Sequence, residues 1–162
     1  NRLLSCVVTS PLGESLHRAN SVPDLLFALR DAIRAHRSLY QEGEILHRDV
    51  CPGNIIIPLG GTAKRNAADP RGVLIDLGMA REQSVPAKEF ESTGTRPFHA
   101  IGVLQAYLPN KPHTYRHDLE SFLYTFLFLA ICERPVPPGE NQLQLLPGSI
   151  LSQWHHGGQL TK

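Results

Sequence analysis

Residues 45 to 57, ILHRDVCPGNIII, constrain this chain more than any other stretch. Both ends are β-branched and apolar, the composition of buried strands. Between them stand His47, Arg48, Asp49, a Pro-Gly pair and Asn54. Such groups buried inside a strand without partners would be desolvated at a cost of several kcal/mol. The chain must therefore loop out of one strand and back into another, and the loop is either a structural turn or a place where polar side chains are gathered for chemistry.

The elements around this loop follow from periodicity and punctuation. LLSCVV at 3–8 reads as a short strand, and TSPLGES after it as an irregular connector. In NSVPDLLFALRDAIRAHRSLYQEG, Ser21 is placed to cap a helix, Pro23 and Asp24 suit a first turn, and Gly43 ends the pattern. Leu25, Leu26, Leu29, Ile33 and Leu39, with Ala32 and Ala35, predict the apolar stripe of that helix. Ile55 to Ile57 and VLIDLG at 73–78 read as two strands of a hairpin across a long polar connection. Residues 79–97 read as a loop, and FHAIGVLQAYL holds a helical turn or two. HDLESFLYTFLFLAICE predicts a helix buried on nearly every side, with Asp118 near its start, and SILSQW a weak last helix.

Composition limits what this framework can serve. With 162 residues, 41% of them hydrophobic, the chain can bury one core, so one domain or part of one is expected. Sixteen Lys+Arg against fifteen Asp+Glu give a net charge of +1, and no basic stripe is interleaved with aromatics, so nucleic acid is not an indicated partner. Cys6, Cys51 and Cys132 are far apart and odd in number. They form neither a disulfide framework nor a CxxC metal site, and reduced thiols fit an intracellular, cytoplasmic or nuclear setting. The apolar run SFLYTFLFLAI at 121–131 is short of the roughly 18 residues of a membrane span, and no secretory signal opens the chain, so no membrane partner is expected.

Written as spacing, the central stretch is His47-Arg48-Asp49, four residues, then Asn54, and the next strand ends in Asp76-Leu77-Gly78. This is similar to the protein-kinase constellation H-R-D-x-x-x-x-N followed by a D-F-G type turn. The residue types suit phosphoryl transfer on their own terms. Mg²⁺ takes oxygen ligands, which Asn54 and Asp76 supply, and an acceptor hydroxyl needs a nearby carboxylate to orient it and take its proton, which Asp49 supplies. Gly78 permits the sharp turn after Asp76, and Leu77 is a volume-similar replacement for phenylalanine.

HRDVCPGNI, DLGMA, TGTRPF and DLESFLY together resemble most closely the divergent fungal-type protein kinases. That resemblance spans nearly the whole chain. It implies an α+β, protein-kinase-like fold, mainly the helical large lobe with a catalytic-loop β-hairpin. Residues 1–16 would be the last small-lobe strand and hinge, and 17–162 an incomplete large lobe. It implies ATP and Mg as cofactors and a protein Ser/Thr hydroxyl as acceptor. Asp49, Arg48, His47 and Thr95 would be catalytic, the Thr95 hydroxyl bonding Asp49; Asn54 and Asp76 would hold the metal; Val8, Thr9 and Leu12 would contact the nucleotide. Asp118 would accept backbone N–H bonds from the catalytic loop.

Departures from the pattern shape further expectations. No glycine-rich loop or strand lysine precedes the hinge-like segment, and the chain begins at Asn1 rather than a methionine. A fragment with most of the small lobe missing is expected, inactive by itself because it holds only the lower half of an ATP site. Cys51 stands where serine/threonine kinases carry a lysine; it reads as a small buried thiol. Ala100-Ile101-Gly102 replaces A-P-E and lacks its anchoring glutamate, so a looser loop is expected. Pro11 falls where a backbone N–H would meet adenine. His113, His117, His155 and His156 read as solvent-exposed loop histidines rather than metal ligands. Ser84, Ser92 and Thr93 are open phosphosite candidates with Arg48 as the receiving cation. Two other functions remain open: a pseudokinase-like interaction module, and a small-molecule phosphotransferase of kinase-like fold, against which Arg48 argues because those enzymes read H-G-D.

Overall fold

The computed structural model describes residues 10–59, 69–85, 93–105 and 112–132. The strand expected at 3–8 and the weak helix expected around SILSQW lie outside them. Helix α1, Val22–Gln41, starts where Ser21 accepts the Asp24 N–H at 3.2 Å and returns its own hydroxyl proton to the Asp24 carboxylate at 2.6 Å. Pro23 in the first turn costs nothing, because that N–H has no helical acceptor. At the other end the N–H groups of Glu42 and Gly43 both close on the Ser38 carbonyl.

The buried stripe of α1 is Leu25, Ala28, Leu29, Ala32 and His36, and it also takes in Asp31. Leu26 and Ile33, expected in that stripe, are exposed. The stripe runs along the alanines because the neighbouring strand comes so close: a Cβ on Gly72 would lie 2.1 Å from the Ala28 carbonyl oxygen. Asp31 fixes the same approach, accepting from Arg30 and from the backbone N–H of Arg71, each at 2.8 Å.

The strands are short. β1 is Gly13–Ser15, β2 Ile45–Leu46, β3 Ile55–Pro58, β4 Val73–Leu74 and β5 Arg81–Glu82. The expected hairpin is present, with Ile55 opposite Leu74 and Ile56 opposite Val73, both strands antiparallel. Its second strand stops at Leu74 rather than running to Gly78, because the backbone turns into the left-handed region at Asp76. Two further differences concern stretches read as irregular. Part of the 9–15 connector is β1, which pairs with β3 to complete a sheet in the order β1-β3-β4. Within 79–97, β5 pairs with β2, Ile45 opposite Glu82, and so closes off the strand that leads into the central loop.

Helix α2, Ile101–Leu104, is a single turn, and helix α3, Tyr115–Leu127, continues into a wider π-helical turn at Phe128–Cys132. Phe122 and the edge-on pair Phe98 and Phe128, 5.4 Å apart, join α3 to the core on α1 and Ile55. Leu119 and Leu123 on α3 are exposed, so the helix is not buried on every side. Those two leucines lie four apart on the outer face, and the inward face carries Asp118, Ser121, Phe122 and Thr125. The architecture is α+β: a small antiparallel sheet laid across α1, with α3 behind the loop that joins β2 to β3. No helix among the described residues is long and apolar enough to cross a membrane.

Candidate active site

The loop from His47 to Asn54 takes its shape from a few polar contacts. Arg48 has φ +70°, a left-handed conformation that costs a non-glycine residue roughly 1–2 kcal/mol. It is held there because the two N–H groups that lead into the kink are used: His47 donates to Asp118 Oδ2 and Arg48 to Asp118 Oδ1, both at 3.1 Å. This is the contact expected of Asp118. His47 then ties the loop to the hairpin. Its Nε2–H donates to the Ile75 carbonyl at 3.0 Å, and its Nδ1 accepts the Asp49 N–H at 3.3 Å. An imidazole nitrogen that accepts carries no proton, so His47 is neutral and in the Nε2–H tautomer. Burial pushes its pKa down, against the opposing pull of the Ile75 carbonyl.

Asp49 is half-buried and uses its two oxygens unequally. Oδ1 accepts both the backbone N–H and the hydroxyl of Thr95, each at 2.7 Å, as expected for Thr95. Among the described residues Oδ2 accepts one bond, from Asn54 Nδ2 at 3.0 Å, and the same nitrogen donates to the Asp49 carbonyl at 2.8 Å. The segment bearing Thr95 can lie this close only because residue 94 is glycine. Gly94 has φ +112°, and a Cβ there would be 2.7 Å from the Arg48 carbonyl oxygen and 3.0 Å from His99 Nε2.

Asn54 and Asp76 meet through the hairpin: the Ile75 N–H donates to the Asn54 carbonyl at 2.9 Å, so Asp76 follows directly beside it. Asp76 is exposed, has φ +65°, and accepts the Gly78 N–H on Oδ1 at 3.0 Å. The Asn54 amide nitrogen is fully engaged by Asp49, which leaves its carboxamide oxygen for another partner, and Asp76 keeps Oδ2 outside the Gly78 bond. One carboxamide oxygen and one carboxylate oxygen on adjoining strand ends are hard donors of the kind that hold Mg²⁺ together with phosphate oxygens and water. The donor set fits that ion.

His47, Arg48, Asp49, Asn54 and Thr95 thus form one hydrogen-bonded group, with Asp76 at its edge. Leu12, expected to contact the nucleotide, is separate from it. Val8 and Thr9 lie outside the described residues, and Leu12 is exposed, its carbonyl accepting the Leu59 N–H at the opposite end of β3 from Asn54. Cys51 is buried and unpaired. Glu120 of α3 anchors the segment after Thr95 by accepting the Ile101 N–H at 2.9 Å and the Tyr124 hydroxyl at 2.7 Å. Burial, with Glu120 alongside, pushes the Tyr124 hydroxyl up to about 12. An α3 carboxylate therefore anchors the segment where no A-P-E glutamate exists.

Two histidine expectations are corrected. His113 is not a solvent-facing loop residue: its Nε2 lies 2.7 Å from Asp118 Oδ1, and the group is largely buried. His117 accepts the Thr114 N–H on Nδ1 at 3.0 Å and closes the start of α3. The Thr93 hydroxyl is buried and makes no hydrogen bond, so it is not presented as a phosphosite, whereas Ser84 is exposed beside Glu82. Ser92, His155 and His156 lie outside the described residues. His36 was missed altogether. It sits on the buried face of α1 with Nε2 at 2.9 Å from Asp118 Oδ2, and the only signal was its place one turn beyond Ala32. Burial works against ionisation of Asp118, but the hydrogen bonds from His113 and His36 outweigh it and hold the carboxyl well below its usual range.

With this geometry in view, the family model described as fungal protein kinase matches residues 1–132. No curated protein matches the chain.

Proposed function

The chain belongs to the fungal protein kinase family, and from that premise we propose that it forms the large-lobe side of a protein-kinase-like fold and transfers the γ-phosphoryl group of ATP to a Ser or Thr hydroxyl of a protein substrate. The observation that carries this reading is the asymmetry of Asp49. Two short bonds from Thr95 saturate Oδ1 and lock the carboxylate plane, while among the described residues Oδ2 carries one bond and keeps a lone pair. An acceptor hydroxyl would donate to that lone pair, which would orient its oxygen for attack, and Oδ2 would take the proton as the new O–P bond forms and the bond from the γ-phosphorus to its bridging oxygen breaks, ADP leaving with that oxygen. Mg-ATP, when bound, supplies the phosphoryl group and the cation that offsets its charge. Asn54 and Asp76 would hold that cation through the oxygens left outside their internal hydrogen bonds. His47 keeps Asp49 in place from below, through the N–H it accepts and the hairpin carbonyl to which it donates. The buried, unpaired Cys51 fits an intracellular setting.

The test is transfer from radiolabelled ATP by the full-length protein that carries this chain, with protein and small-molecule acceptors offered side by side, comparing wild type with Asp49→Asn. Label in protein, lost by about 10²–10⁴-fold in the variant, is the expected result. Label only in a small molecule, or transfer equal in both proteins, would sink the proposal.

A further inference from the structure

Asp118 holds the catalytic loop, and two imidazoles hold Asp118. We infer that His36 and His113 are positioning residues for phosphoryl transfer, fixing through Asp118 the backbone that aims Asp49; the inference rests on the reading of Asp49 as proton acceptor. Each Asp118 oxygen accepts one imidazole and one main-chain N–H. Oδ2 takes His36 Nε2 at 2.9 Å and the His47 N–H at 3.1 Å; Oδ1 takes His113 Nε2 at 2.7 Å and the Arg48 N–H at 3.1 Å. The three side chains come from the middle of α1, the approach to α3 and its first turn, and they converge where no water reaches, Asp118 being 0% exposed.

The imidazoles change what Asp118 can do. With the two main-chain amides alone, each Asp118 oxygen would keep a lone pair unpaired and out of water, a desolvation cost that works against the carboxylate both loop bonds need. Were the carboxyl to take up a proton, its O–H would face a backbone N–H, and one of the two loop bonds would be lost. With a ring N–H on each oxygen the group stays a carboxylate, an acceptor only, and both loop amides are accepted together. Because Arg48 sits in the left-handed region, loss of either bond lets the backbone relax and carries Asp49, the next residue, out of line with Thr95 and Asn54. The rings are themselves fixed by packing: His36 stands edge-on to Phe122 at 5.7 Å, and His113 lies 5.1 Å from His117.

The test compares, in the full-length protein, His36→Leu and His113→Leu, which delete the donor, with His36→Gln and His113→Gln, which keep a side-chain N–H. Each is assayed for kcat and for KM of ATP, at a temperature where circular dichroism shows it folded, and for hydrogen exchange at the His47 and Arg48 amides. The expected result for the leucine variants is a fall of about 100-fold in kcat, the cost of misplacing a reacting group by about 1 Å. KM for ATP stays within about threefold, and the two loop amides exchange about tenfold faster while those in the middle of α1 do not change. The glutamine variants recover most of the loss. Leucine variants with kcat and exchange within about twofold of wild type, or glutamine variants as impaired as the leucine ones, overturn the inference. If a leucine variant fails to fold, ¹⁵N spectra of the wild-type imidazoles decide: a proton on Nε2 of both rings supports the inference, and a bare Nε2 on either overturns it. Full-length wild-type protein that transfers no phosphate refutes the proposed function instead, and the exchange data still decide whether the imidazoles hold the loop.

Discussion

Asp118→Asn is the substitution whose cost the structure specifies most closely. The carboxylate accepts four hydrogen bonds, two on each oxygen, and all four donors are N–H groups. Asparagine keeps one oxygen and turns the other into an NH₂ group that can accept nothing. Whichever way the amide is flipped, two N–H donors then face a donor. A hydrogen bond to a charged group contributes about 1.5–3 kcal/mol, so the two lost bonds amount to roughly 3–6 kcal/mol. Removing a buried charge returns part of its desolvation penalty, which puts the expected loss near the lower end, about 3–4 kcal/mol. That is a large share of the roughly 5–15 kcal/mol by which a domain is stable.

The assay is urea unfolding at neutral pH. With m of about 2 kcal/mol per molar, the midpoint should fall by about 2 M without a change in m. The pH dependence supplies an independent sign. The Asp118 carboxyl titrates lower in the folded protein than its ordinary value of 3.8, so the unfolded chain binds the proton first. Its stabilisation is complete above that value and is lost as pH falls below it. The gap between wild type and Asp118→Asn should therefore narrow below about pH 4. A variant within about 1 kcal/mol of wild type at neutral pH, or a gap that widens in acid, would refute the hydrogen-bond accounting.

Gly94→Ala puts a methyl group against the Arg48 carbonyl oxygen in a backbone conformation reserved for glycine; phosphoryl transfer should fall sharply, by about 10-fold or more, as Thr95 is pushed off Asp49. Gly72→Ala drives β4 away from α1 and should lower stability by about 1–3 kcal/mol, read as a lower melting temperature; an unchanged melt would mean the close approach to Ala28 is not real. Thr95→Val keeps the backbone bond to Asp49 and deletes the hydroxyl one, so kcat should drop about 10- to 100-fold while Thr95→Ser stays near wild type. His47 and His117 each accept a backbone N–H on Nδ1, at 3.3 and 3.0 Å, and burial holds both below their ordinary 6.5. Their contribution is fully present above about pH 6.5 and is lost as pH falls, so unfolding measured from pH 7.5 downward should show stability declining before any carboxylate titrates, with a flatter slope in His117→Asn.

Local signals carried much of the fold. Ser21, Pro23 and Gly43 bracket α1 because capping is chemistry between residues a few positions apart. The hairpin followed from two β-branched runs, and its register places Asn54 beside Asp76 without help from elsewhere. The errors fall where a partner distant in sequence decides. β1 is a strand only because β3 offers it an edge, and Leu26 and Ile33 are as apolar as the residues that were buried in their place. The α1 face that turns inward is the one with alanines, chosen by Gly72 pressing on Ala28 from forty-odd residues away.

The site divides in the same way. Asp49 and Asn54 were legible because their types and spacing suit the chemistry proposed for them; Thr95 was expected from the resemblance alone, and the short contacts among the three include its bond to Asp49. His36 and His113 carry no such statement. Each is a lone histidine, one inside an amphipathic helix and one in a polar connection, and residue type alone favours an exposed position for both. What makes them internal is Asp118, a carboxylate that cannot stay ionised in a dry core without cationic or N–H partners. A sequence with a buried aspartate at the head of a helix therefore implies unseen donors: the His47 and Arg48 amides satisfy one lone pair on each oxygen, and something must satisfy the others. Counting lone pairs on Asp118 predicts that two donors are missing from the sequence-level description, and the structure fills both places with imidazoles.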